Sequence, residues 1–246
     1  MTVQGQDHSA AGPSATQWPG RWLRARLGYE PADAGLFVAA LTHRSAGRPH
    51  NERLEFLGDA VLNLLVAEHL YRGFPAAAEG DLSRLRAWLV SAPPLAEIAA
   101  AIGLGEELRM GSGELKTGGF RRESILADAL EAVIGAVYLD GGLAAAHGVV
   151  FRLFGERLSR LPDPQELKDP KTRLQEYLQS RGLQLPTYEV VRTEGEVHAQ
   201  TFWVQCCAGA LSLSATGQGL SRRRAEQEAA GLVLKAISPV NGAGDV

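Results

Sequence analysis

Asn51-Glu-Arg-Leu-Glu-Phe-Leu-Gly-Asp59 sets three carboxylates, Glu52, Glu55 and Asp59, at three- and four-residue steps within a largely apolar segment. Residues at such steps share one face of an α-helix, so the stretch predicts a core helix, about 50–72, carrying an acidic stripe. Ser124-Ile-Leu-Ala-Asp-Ala-Leu-Glu131 repeats the device, with Asp128 and Glu131 one turn apart among Leu126, Leu130, Val133 and Ile134. Burying ionised carboxylates is costly and several together repel, so the arrangement calls for pairing cations, shared protons or a bound metal.

Outward from these two helices the period stays helical from Trp22 to about Leu158, with breaks at Gly, Pro and Ser. It predicts helices near 20–27, 33–42, 50–72, 80–90, 92–101, 123–139 and 141–158, hence an all-α N-terminal domain over 18–160. Asp81 reads as the cap of the 80–90 helix. Three prolines in Leu161–Pro170 mark a linker, placed at 161–168. Beyond it, 169–238 changes character: a helix over Lys171–Arg181, strand-like runs at Tyr188–Thr193, His198–Cys207 and Ala210–Gly217, then a helix from Ser221 to Ile237 with Ser221 as its cap. The order is α-β-β-β-α, a small α+β domain. Residues 1–17 and 239–246 read as disordered tails.

The chain is 45% hydrophobic with a formal charge of −3. Its apolar runs, such as Ala60–Leu70, are interrupted by Asn63, Glu68 and His69, and none approaches the roughly 18 residues of a membrane span. With no secretory leader in view, the expectation is a cytoplasmic protein without a membrane anchor or an organic cofactor. Cys206 and Cys207 are adjacent, so on a strand they face opposite sides, which suits packing better than a disulfide or a zinc site. The charge is divided: residues 168–238 hold nine Lys/Arg against seven acids, and the part before them is acidic. The acidic part holds the clustered carboxylates; the basic part is the place for a polyanion.

Four carboxylates on two core helices, Glu55, Asp59, Asp128 and Glu131, form a hard oxygen set suited to Mg²⁺ or Mn²⁺ and unlike a thiolate zinc site. The competing reading is a structural network in which they pair with Arg53, Arg84, Arg86 or Arg122. His43, with no nucleophile elbow nearby, reads as a packed or hydrogen-bonded histidine. Arg222, Arg223 and Arg224 open the last helix, where cations oppose the helix dipole, a placement that makes sense if an anion docks there. In this C-terminal part aromatic residues are few and fall mostly within strands as core, which favours recognition of duplex shape over stacking on splayed bases.

These residues resemble the bacterial ribonuclease III family. Asn51–Leu62 is similar to its signature, and Leu41-Thr-His-Arg-Ser45, Glu79-Gly-Asp81 and Ile125–Glu131 match further blocks in order; Lys171–Leu178, His198–Phe202 and Gly219–Ala230 resemble a double-stranded RNA-binding domain. The resemblance covers roughly residues 20–238. It implies a homodimeric, Mg²⁺-dependent endonuclease (Mn²⁺ substituting) that cuts both strands of duplex RNA, leaves 5′-phosphate and 3′-hydroxyl ends with short 3′ overhangs, and processes ribosomal and other structured precursors. Carried over by motif, Glu55, Asp59, Asp128 and Glu131 would hold metal, with Asp59 and Glu131 foremost in catalysis. Glu52 and Glu79 would line the dimeric cleft. Gln175, Glu176 and His198 would meet the minor groove, and Arg222–Arg224 the phosphates. Two departures stand out: Glu196 adds an acid before His198, and the basic trio is all Arg where Lys is common.

Overall fold

The computed structural model describes residues 18–196 and 199–237. The expected tails and His198 lie outside the described residues. The chain forms two compact units, one through Pro162 and one from Asp163.

The first unit is helical. A short α1 (Gly20–Trp22) runs into a π-helical turn, Leu23–Leu27, and is followed by α2 (Ala34–Ala40), α3 (Glu52–Gly73), α4 (Glu79–Val90), α5 (Ala92–Ala101), α6 (Leu104–Glu107), α7 (Ser112–Lys116) and α8 (Glu123–Ser159). The long helix α3 buries Leu54, Val61, Leu62, Leu65, Val66 and Leu70. These are the spacings that the acids interleave. Helix α8 is two helical stretches meeting at Gly142, whose φ of 75° no β-carbon-bearing residue adopts cheaply. By length and composition α8 passes for a membrane span; its break and the burial of Ile125–Ala127, Ala129, Leu130 and Ala132–Val137 mark it as a core helix.

Side chains do not separate α3 from α8 where they cross. A β-carbon on Gly58 would lie 1.8 Å from the Glu131 carbonyl oxygen, and one on Gly135 would lie 2.3 Å from the Leu54 carbonyl oxygen. The helices are therefore in backbone contact beside Glu131, and only glycine fits at both places.

Three expectations need correction. Helices α6 and α7 are absent from the sequence reading, being too short to show a period. Helix α4 begins at Glu79 after Ala78, which provides no side-chain cap, so Asp81 is not the cap; it sits inside the first turn and pairs with Arg84 at 2.5 Å. The third strand starts later than Ala210, because Gly209–Leu211 form a 3₁₀ turn and Ser212 takes a left-handed conformation, φ 54°.

The second unit packs α9 (Pro170–Gln179) and α10 (Arg222–Ile237) on one face of an antiparallel sheet of β1 (Thr187–Glu194), β2 (Thr201–Ala208) and β3 (Leu213–Gly219), in that spatial order. Cys206 opposes Tyr188 and Ala215, with a bulge between Val190 and Arg192. Leu174, Leu178, Cys206, Ala208, Ala229, Ala230 and Val233 form its core. Cys206 is buried and Cys207 only half-buried, as their opposite facing requires. Helix α10 lies so close to β3 that a β-carbon on Gly217 would be 2.2 Å from the Ala229 nitrogen. Asp169 caps α9 by accepting from the Lys171 N–H, and the Ser221 hydroxyl accepts from the Arg224 N–H at 3.2 Å, the predicted cap of α10.

Candidate metal centre and RNA-facing surfaces

The backbone contact between α3 and α8 brings the two acidic stripes together. Carboxylate oxygens of Glu55, Asp128 and Glu131 all lie within 4.8 Å of one another. Asp59 is outside that tight group: it is exposed, and the Asn63 amide donates to its carboxylate at 2.7 Å and to its backbone carbonyl at 2.9 Å. It remains near enough to raise its neighbours electrostatically.

Proton affinity records the crowding. Burial, followed by the charges of Asp59, Asp128 and Glu55, pushes the Glu131 carboxyl up to about 8. Glu55 is raised by burial and by Asp128, Glu52 and Asp59, against a lowering by Arg44. Burial also raises Asp128, opposed by His43 and Arg44. Two raised groups on α8 and one on α3 form a site that is short of positive charge.

The competing arginines do not supply it. Arg84 is taken up by Asp81 at 2.5 Å and Arg122 by Glu114 at 2.7 Å, and among the described residues no ion pair reaches Glu55, Asp128 or Glu131. A hard oxygen cluster, half-buried and without a cation in contact, fits a divalent ion with oxygen preference. The donor set and its crowding are thus what a metal would relieve.

Glu55 and Asp128 open onto a cleft of about 650 Å³, lined also by Arg44, Ser45, Glu52, Glu114 and Arg122. Several of these come from short turns that carry no sequence period, which is why spacing did not find them. His43 is hydrogen-bonded, as expected: its Nδ1 lies 2.8 Å from the Ser45 hydroxyl oxygen. That hydroxyl accepts from the Gly111 N–H at 2.9 Å, tying the 43–46 turn to the strand-like stretch before α7. Glu52 lines the cleft and pairs with Arg44 at 3.3 Å. Glu79 does not line it; it accepts from the Ser83 hydroxyl at 2.6 Å in the first turn of α4.

In the second unit Gln175 and Glu176 are exposed on α9, and Lys168 reaches Glu176 at 2.7 Å. Arg222, Arg223 and Arg224 are exposed in the first turn of α10. Arg222 pairs with Glu226 at 3.0 Å, and Lys171 reaches the same carboxylate at 2.5 Å, so burial's upward push on Glu226 is outweighed and its carboxyl is lowered. Among the described residues Arg223 and Arg224 have no ion-pair partner, leaving two guanidinium groups for an anion.

The comparisons with known proteins divide the chain in the same way. Residues 33–158 match the model of a ribonuclease-III-like domain, and 170–237 match the double-stranded RNA binding motif. The protein named ribonuclease 3 of Pseudomonas fluorescens (strain SBW25) is 56% identical over 220 residues, 89% of this chain and 96% of that relative. That of Pseudomonas aeruginosa (strain LESB58) is 54% identical over the same shares. A solved nuclease domain of ribonuclease III from Campylobacter jejuni, described for flexibility in a region involved in dimer formation, is similar at 46% identity and a TM-score of 0.55. The match covers 56% of this chain and 98% of that one.

Proposed function

The chain belongs to the ribonuclease III family and is an endoribonuclease of double-stranded RNA, and from that premise we propose how its own residues divide the work. Glu55, Asp59, Asp128 and Glu131 hold Mg²⁺, with Mn²⁺ able to replace it. The convergence of Glu55, Asp128 and Glu131 within 4.8 Å carries this reading. When bound, a divalent ion of this kind lowers the pKa of a water and offsets charge on the departing 3′ oxygen. The protein's part is to present the ligands in the ionised form. Glu131 must lose its proton to do so, and Asp59 lies ready to join the group once its repulsion from the others is relieved. Asp59 and Glu131 are the foremost catalytic acids.

The product is a 5′-phosphate and a 3′-hydroxyl with short 3′ overhangs, on ribosomal and other structured precursors in the cytoplasm. Overhangs require two sites working on opposite strands, and the surface of the first unit favours a homodimer. Phe56, Leu64 and Tyr71 are 80, 54 and 74% exposed and lie along one side of α3, next to the acidic stripe. Phe56 also edges a mostly apolar groove of about 720 Å³, lined by Leu36, Ala39, Pro49, Leu57 and Leu139 together with His50, Glu52 and Arg53. A knob and a socket on one face make a self-complementary patch, as a two-fold interface needs. Glu52 then serves the shared cleft, and Glu79, outside the cleft of a single chain, takes a substrate or interface role beside it. In the second unit Gln175, Glu176 and His198 meet the minor groove, and Arg222–Arg224 grip phosphates at a helix start.

The test is incubation of the full-length chain with a long, end-labelled RNA duplex, in Mg²⁺ or chelator, beside Glu131→Ala. Metal-dependent cuts with 3′ overhangs, lost in the variant while duplex binding persists, are expected. A wild type that binds duplex and cuts nothing with any divalent ion would overturn the assignment in favour of an RNA-holding protein.

A further inference from the structure

The cleft contains one arginine that is loosely held. Arg44 stands in a 3₁₀ turn, Arg44–Ala46, whose backbone is well fixed. The His43 N–H donates to the Arg109 carbonyl at 2.9 Å, the Asn51 N–H to the Thr42 carbonyl at 2.9 Å, and the Gly111 N–H to the Ser45 hydroxyl at 2.9 Å. A β-carbon on Gly111 would lie 2.4 Å from the Ser45 carbonyl oxygen, so the turn is braced by backbone as well. The guanidinium itself is different. It is 71% exposed, and its ion pair with Glu52 is long, 3.3 Å, with a partner itself 47% exposed. Arg122, on the other side of the cleft, is held by Glu114 at 2.7 Å.

Arg44 also acts on the acids it does not touch. Its charge lowers the proton affinity of Glu55 and of Asp128, two of the three clustered carboxylates. A cation that feels the cluster from the cleft, on a fixed base and with a weak exposed partner, is placed to change partners. A metal ion in the cluster would repel it, and an RNA phosphate entering the cleft would attract it more strongly than Glu52 does, because a guanidinium can meet two phosphate oxygens at once.

We infer that Arg44 is a positioning residue for RNA: parked on Glu52 as a counter-ion while the acids lack metal, and transferred to a backbone phosphate of the duplex when metal and RNA enter. This rests on the proposed metal site. It makes the same side chain oppose metal binding and favour RNA binding, two effects of opposite sign.

Full-length wild type, Arg44→Ala and Arg44→Lys would be compared in two ways. The first is Mg²⁺ titration without RNA, read by the rise in Tm. Arg44→Ala is expected to reach half-effect at ~3–10-fold lower Mg²⁺, since a positive charge near the ion is gone. The second is duplex binding and cleavage in Mg²⁺ over a range of KCl. Arg44→Ala is expected to lose ~10-fold or more in kcat/KM, mostly through KM, and the log–log salt slope should shrink by about one, the loss of one phosphate contact. Arg44→Lys should restore the slope and most of the rate. Weaker metal binding together with slower cleavage in Arg44→Ala would show that the residue merely supports the acids, and overturn the inference. Unchanged metal response and salt slope would make it an ordinary surface residue and overturn it equally. A wild type that binds Mg²⁺ and duplex without cutting would refute the nuclease assignment instead, and the metal and binding arms would still decide the role of Arg44.

Discussion

Glu131 is the residue in which fold and chemistry conflict most directly. Its carboxyl is raised from an ordinary 4.5 to about 8, so between those values the folded chain keeps a proton that the unfolded chain has lost. Stability of the metal-free protein therefore falls as pH rises through that window, is undiminished below it, and levels off above about 8. Glu131→Gln keeps the shape and removes the charge. In chelator it should be more stable than wild type by about 1–2 kcal/mol at pH 8, after discounting for solvent screening, with the gap closing toward pH 4.5. Thermal melts across pH would show this. Calorimetry of Mg²⁺ addition near pH 7, in buffers of different ionisation enthalpy, should find about one proton released by wild type and fewer by the variant. A flat stability difference would show that the crowding is relaxed in solution. Asp140 has the opposite sign: burial would raise it, but the Tyr29 hydroxyl at 2.6 Å and the N–H groups of Ala32 and Asp33 outweigh this and hold it below its ordinary range. Asp140→Asn should lower Tm at pH 7, with the difference fading as pH falls through the carboxylate range.

Among elements, the crossing of α3 and α8 decides whether the acids meet at all. Gly58→Ala must displace the Glu131 backbone itself, since the new carbon would start 1.8 Å from its carbonyl oxygen. The expected cost is about 3 kcal/mol or more, an overpacking penalty against backbone that cannot rotate away. Any folded fraction should have lost the Mg²⁺-induced rise in Tm, because separated helices carry apart the acids proposed to hold the ion. Gly148→Ala, at a helical position with nothing within 4 Å, is the control and should leave both intact. The long helices were legible in the sequence because each repeats an apolar spacing over several turns, and the acids were legible because they break that spacing on one face. Gly58 and Gly135 were not. Inside a helical period a glycine reads only as a lost propensity, and its purpose appears when the partner backbone, 77 positions away, is in place. For a like reason Glu114 escaped notice, and Arg44 and Ser45 stood in the sequence only as part of a family-like block with no role of their own: turns and one-turn helices offer no period, and their contacts to the cleft are long-range.

For the whole molecule, the division of charge between the units separates affinity from chemistry. The first unit is net acidic and would repel a polyanion, whereas the second carries at a helix start two arginines without an ion-pair partner among the described residues. Replacing Arg222, Arg223 and Arg224 together by Ala should weaken duplex binding about 100-fold at moderate salt and flatten the log–log salt slope by two to three contacts. It should leave the Mg²⁺-dependent shift in Tm unchanged, because the acids proposed to hold the ion lie in the other unit. Equal loss of metal response would mean that the variant has unfolded rather than lost its phosphate grip. Pairing of chains can be isolated in the same way. Phe56→Glu puts a charge where an 80%-exposed ring meets an apolar groove, and Phe56 is a neighbour of Glu55 that does not point into the cluster. Sedimentation should then show a monomer in place of a dimer at micromolar chain concentration. If the overhangs come from two sites facing opposite strands, the monomer should bind duplex through its second unit and cut slowly or in one strand only. A Phe56→Glu chain that is monomeric yet still makes 3′ overhangs at the wild-type rate would show that one copy suffices, and that the exposed stripe on α3 serves some other contact.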